Sequence, residues 1–126
     1  MPGNLNLKER RAQMRYITER SLCSRQFEVE DGADIWVYFW APYQCDEGGF
    51  VCDYMIVGLD RLIALHSYGV DGLDAILGAT NQVLRILEND ERAQSGRLSW
   101  WGFTESFGLY DFRRMMPPGR SETASQ

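Results

Sequence analysis

Three cysteines, Cys23, Cys45 and Cys52, and one histidine, His66, are the side chains of this 126-residue sequence best suited to thiol, acid–base or metal chemistry. A nucleophilic thiol needs a base within hydrogen-bond reach. The pairing on offer is Cys52 with His66, which neighbouring strands can bring face to face; the competing reading is a small core cysteine and a structural histidine. A zinc site would draw each ligand from a different segment, because no C-x-x-C or H-x-x-x-H spacing exists. A Cys45–Cys52 link across a hairpin is conceivable, although an odd cysteine count with no visible secretory signal favours reduced thiols.

Asp46, Glu47 and Asp53 offer oxygen ligands for a hard cation such as calcium, but they lack EF-hand spacing and read more simply as a solvated hairpin tip. Neither Gly48-Gly49 nor the Gly-Val-Asp-Gly turn at 69–72 carries a G-x-G-x-x-G pattern or a Walker lysine. Lys8, the sole lysine, lies in a polar arm, which disfavours Schiff-base chemistry. Carboxylates for glycoside chemistry are numerous, yet nothing in the pattern forms a cleft for them. The expectation is therefore no catalytic set, no cofactor and no metal.

The elements that must position these groups fall in the order β-β-β-β-α-β. Tyr16 to Cys23 alternates weakly. Asp34 to Trp40 sets Ile35, Val37 and Phe39 on one face and Trp36, Tyr38 and Trp40 on the other, so this strand is central or covered on both sides. Phe50 to Val57 groups Phe50, Cys52, Tyr54 and Ile56, with Asp53 opposite, and the intervening APYQCDEGG has hairpin-loop punctuation. Leu62 to Tyr68 alternates again. The period then changes: Leu73, Ile76, Leu77, Thr80, Val83, Leu84 and Leu87 recur at helical spacing over 71–90 and predict a sheet-facing stripe, with Asp71 as N-cap and Asp74 three residues on. Arg97 to Phe103 follows as a last strand. The pattern predicts an α+β domain, an antiparallel sheet of about five strands with one long helix on one face. Residues 1–13 read as a flexible or partly helical basic arm, 14–113 as a single domain, and 114–126 as a disordered tail.

Charge is partitioned. Residues 1–25 carry +4, residues 26–112 carry -11 and the last fourteen +2, for a net -5. Between Arg25 and Arg61 stand eight acids and no base. That field disfavours nucleic acid and acidic membranes and favours a basic partner, although solubility alone explains it too. No apolar run is long enough for a membrane span, and the expected location is the cytoplasm.

Cys52, Tyr54, Ile56, Gly58 and Leu59 form a C-x-Y-x-I-x-G-L run, followed by YGVDGLDAILGA from Tyr68 to Ala79 and LSWWG from Leu98 to Gly102. Over about residues 16–103 this resembles a small bacterial family of domains of unknown function. Its members share an I-x-E-R opening strand, an Ala-Pro near the end of the second strand, a C-x-[FY]-x-I-x-G-L third strand and a [YF]GVDSxQAL helix opening. Ile17, Glu19, Arg20, Ala41 and Pro42 fit the first two; Gly72 stands for the serine and Asp74 for the glutamine. The resemblance implies a fold and a bacterial origin, and brings no activity.

The functional expectation is a non-enzymatic acidic protein-binding module, in its most concrete form an immunity or inhibitor protein that neutralises a basic bacterial toxin. Asp31, Asp34, Trp40, Asp46 and Glu47 are the expected partner-binding residues, with Trp40 as a buried anchor among charges. The alternatives are a homodimeric scaffold or adaptor using the aromatic sheet face, and an enzyme using Cys52 and His66.

Overall fold

Residues 20–109 are described in the computed structural model. The expectations for residues 1–13 and 114–126, and for most of the Tyr16–Cys23 strand, lie outside the described residues. The elements are β1 (Cys23–Val29), β2 (Ile35–Phe39), β3 (Tyr43–Gln44), β4 (Phe50–Val57), β5 (Ile63–Gly69), α1 (Gly72–Glu88), α2 (Glu91–Gln94) and β6 (Leu98–Ser99). All the strands pair antiparallel in a six-stranded sheet. β2 and β3 share one edge of β4 and β5 takes the other, so the order across the sheet is β5, β4, β2 with β3, β1, β6. The architecture is α+β, with one long helix, as the hydrophobic pattern predicts.

β2 is central in the sheet, flanked by β1 and β4, and buries only one of its two apolar faces. Its Ile35, Val37 and Phe39 join Phe27, Val29, Cys52, Tyr54, Ile56 and Leu98 in the core under α1. β1 starts at Cys23, the last residue of the predicted first strand; Phe27 and Val29 are its buried positions, and its other side chains give no apolar alternation. The predicted final strand is cut to Leu98–Ser99. Trp101 (φ 53°) and Gly102 (φ 81°) both take positive φ, closing a tight turn in which Trp100 and Phe103 exchange 2.9 Å backbone hydrogen bonds.

The helix starts as predicted. The Asp71 side chain accepts from the Asp74 amide at 2.8 Å, and the Asp74 side chain accepts in turn from the Val70 amide at 2.9 Å. Its sheet-facing stripe holds at Val83, Leu84 and Leu87, with Ile76 packed against the core, and departs from the predicted one in the first turns. Leu73 and Leu77 are 67% and 41% exposed, while Ala75 and Ala79 are fully buried beside Val83 and Leu87. The start of α1 lies too close to β5 for leucine. A Cβ on Gly69 would stand 2.3 Å from the Ala75 nitrogen, and one on Gly78 would stand 2.3 Å from Ser67 Oγ.

Candidate functional site: the open face of the sheet

With α1 on one side, the alternating residues of each strand face the other side. Their cross-strand rows follow from the register: Tyr43, Val51 and Tyr68; Asp53 and His66 beside Trp40; Ser24, Tyr38, Met55 and Ala64; Gln26, Trp36 and Val57. Tyr43 joins this face because of a β-bulge. Phe39 pairs with Tyr54 but Tyr43 with Val51, so four residues of advance on one strand meet three on the other. The extra residue at Trp40–Pro42 reverses the alternation and aims Tyr43 outward rather than to the side of Phe39. The predicted hairpin loop thus contains a short strand.

Trp36, Tyr38 and Trp40 form a ladder of rings along β2, with centroids 6.3 Å and 6.5 Å apart and the first pair stacked. Tyr43 and Tyr68, on the strands either side of β4, flank Val51, which is buried, while the two tyrosines remain exposed. The charges on this side are acidic. Asp53 stands in the middle of it; Glu28 alternates with the buried Phe27 and Val29, and the Asp34 carboxylate accepts from Gln26 Nε2 at 2.6 Å. No lysine or arginine occupies an outward position on these strands; Arg25 points to the helix side, opposite Val37. The negative charge of Asp53 raises the Tyr43 phenol pKa, with desolvation and a hydrogen bond to that carboxylate adding to it.

The five residues expected from the sequence do not form one cluster. Asp34 and Trp40 belong to the open face. Asp31 sits in the β1–β2 turn at φ 59°. Asp46 and Glu47 occupy the β3–β4 turn at the opposite end of the sheet, roughly 30 Å away by strand rise. Asp53 lies opposite the Cys52 and Tyr54 face as its strand pattern predicts, but neither it nor the tyrosines at 43 and 68 are among the expected partner-binding residues. The signal for Asp53 was its isolation as one acid in an apolar strand.

Cys52 and His66 lie on opposite faces. Cys52 pairs across the ladder with Ser67 on the covered side, and His66 pairs with Asp53 on the open side. Burial, then the charge of Asp53, pushes the Cys52 thiol up to about 11, and its Sγ donates to the Trp40 carbonyl at 3.3 Å within the bulge. His66 Nε2 lies 3.2 Å from the Tyr68 hydroxyl. The cysteines are free thiols, and among the described residues no three His, Cys, Asp or Glu side chains gather to hold a metal.

On the helix side, a cleft of about 440 Å³ opens between β1 and α1, walled by Leu22, Phe39, Ile76, Leu77 and Leu109. Arg25 is its charged group, and it is already engaged: Nη1 donates to the Phe107 and Gly108 carbonyls at 2.9 and 2.7 Å, and the guanidinium lies 4.4 Å from the Trp100 ring centre. That cleft is where residues 107–108 are pinned to β1.

These features define an α+β domain whose sheet is covered by a helix on one face and lined with aromatic and acidic side chains on the other. The chain belongs to the DUF6968 family, a domain of unknown function, whose model matches residues 23–110. No curated protein and no solved structure matches it. No helix among the described residues is long and apolar enough to cross a membrane.

Proposed function

We propose that this protein is a non-enzymatic binding module that engages a basic protein through the open face of its sheet. The observation that carries this reading is the composition of that face: tryptophan and tyrosine rings with Glu28, Asp34 and Asp53, and no outward lysine or arginine on the strands. Aromatic rings supply desolvated contact area, and uncompensated carboxylates speed encounter with a positive surface and reject a negative one. The remaining acids at the two sheet ends extend the same field. In its most specific form the module is an immunity protein in a bacterial cytoplasm, occluding the cationic active site of a toxin such as a nuclease. The separation of Cys52 from His66 supports the non-enzymatic reading.

The test is affinity capture from source cells over a salt series, with wild type, the Trp36→Ala, Tyr38→Ala variant and the Asp46→Asn, Glu47→Gln variant. The reading expects a basic partner that is lost with the aromatic pair and binds more slowly, with weaker salt dependence, to the turn variant. Equal capture by all three forms contradicts it. So does light scattering that shows a dimer in wild type and a monomer in the aromatic variant, which is the scaffold alternative.

A further inference from the structure

Beside Trp40 the open face sinks into a hollow of about 330 Å³, whose wall includes Trp40, Asp53, Met55, Ala64 and His66. This is room for one side chain rather than for a folded element. We propose that the hollow is a socket for a single arginine side chain of the basic partner, with Asp53 as its counter-charge and the Trp40 indole as its stacking wall. This deepens the open-face reading and rests on it.

The chemistry of the wall selects the ligand. Asp53 is half-buried, and among the described residues no lysine or arginine pairs with it. An apolar group seated here would strip water from that carboxylate and return nothing, and an anion would be repelled. A metal ion would find one carboxylate and one imidazole, short of a coordination set. A guanidinium meets every feature at once. It donates to the carboxylate, lays its weakly hydrated plane on an indole, and rests its methylene stem on the Met55 and Ala64 floor. The face is built to hold this geometry. Trp40 follows Tyr38 in the ring ladder, its amide donates to the Asp53 carbonyl at 3.0 Å, and its carbonyl is held by the Cys52 thiol. Asp53 has Tyr43 on one side, placed there by the bulge, and His66 across the ladder on the other.

The probe is N-acetyl-arginine methylamide, titrated into the full chain and followed by nitrogen–proton NMR, with the neutral citrulline and the lysine counterparts as separate arms. The proposal expects saturable shifts at the Trp40 indole N–H and the Asp53 and His66 amides with arginine, none with citrulline, and weaker binding with lysine. Asp53→Asn should weaken arginine binding about tenfold or more while the rest of the spectrum stays unchanged, showing an intact fold. Equal shifts with citrulline, equal affinity for lysine, undiminished binding to Asp53→Asn, or shifts centred on the Asp46–Glu47 turn would each overturn it. The partner is absent from this titration, so the socket and the open-face reading fail separately: a lost basic partner does not alter the arginine result, and a silent titration does not alter capture.

Discussion

Asp53 and His66 are direct cross-strand partners in the β4–β5 ladder, and their pairing sets the single histidine beside a carboxylate on the open face. One step along each strand, Cys52 and Ser67 form the matching pair beneath α1. Because side chains alternate with a period of two, no local adjustment moves Cys52 and His66 to the same side. The ladder thus divides the chemistry-bearing groups: the thiol is sealed into the core, and the carboxylate, imidazole and phenols are presented outward.

A sealed thiol makes a kinetic and a pH prediction. Iodoacetamide followed by mass mapping should label exposed Cys23 well before buried Cys52. The folded Cys52 pKa, at about 11, lies above its ordinary value of 9.0. Its contribution to stability is therefore complete below the ordinary value and is lost as pH rises through the folded one. Urea melts at rising pH should show the gap between wild type and Cys52→Ala narrowing over that window. A constant gap would show that the thiol titrates normally.

The near contact of α1 with β5 predicts a rescue. Gly78→Ala places its Cβ against Ser67 Oγ and should cost about 1–3 kcal/mol in chemical denaturation. Adding Ser67→Ala removes the clashing oxygen, and the double variant should regain most of the loss. Strictly additive costs would mean that the clash is not the cause.

On the helix, truncation should separate the two kinds of leucine. Leu87→Ala, at a fully buried position, should cost about 2–5 kcal/mol, whereas Leu73→Ala, largely exposed, should cost under about 0.5 kcal/mol. Thermal or urea unfolding of the two variants decides it. Similar losses for both would restore the stripe that helical spacing alone suggests.

That stripe marks where sequence reading stops. The central β2, the C-x-Y-x-I face of β4 and the Asp71 cap were legible because alternation and capping are local signals. Leu73 and Leu77 misled because their exclusion from the interface depends on Gly69 and Gly78 letting the helix approach, a tertiary fact. β1 was obscured by its Arg25-Gln26 core-poor stretch, and β3 by Pro42, which reads as a loop yet marks a bulge. The same limit governs the site. The alternation of β4 sets Asp53 opposite its apolar face, but its neighbours Tyr43, Trp40 and His66 are set by the bulge and the β4–β5 register.

Arg25 should act as a clamp on the segment after β6. Arg25→Lys keeps the charge but loses the planar stack on Trp100 and the paired contacts to the Phe107 and Gly108 carbonyls. The expected cost is about 1–3 kcal/mol, with faster proteolysis between residues 103 and 109. Wild-type protease resistance in this variant would show that Phe107, packed edge-on against Phe27, holds the segment alone.

The proposed interface is the open face and not the helix side. Tyr68 on that face and Leu73 on α1 are almost equally exposed, at 66% and 67%, so a photo-crosslinking amino acid at either position samples solvent alike. Irradiation in source cells should join the Tyr68-substituted chain to a basic protein, in a salt-sensitive yield that Asp53→Asn reduces, and should leave the Leu73-substituted chain uncrosslinked to that protein. Crosslinks to the same protein from both positions, from Leu73 alone, or from Tyr68 to a second copy of this chain would rule out the open face as the site of a basic partner.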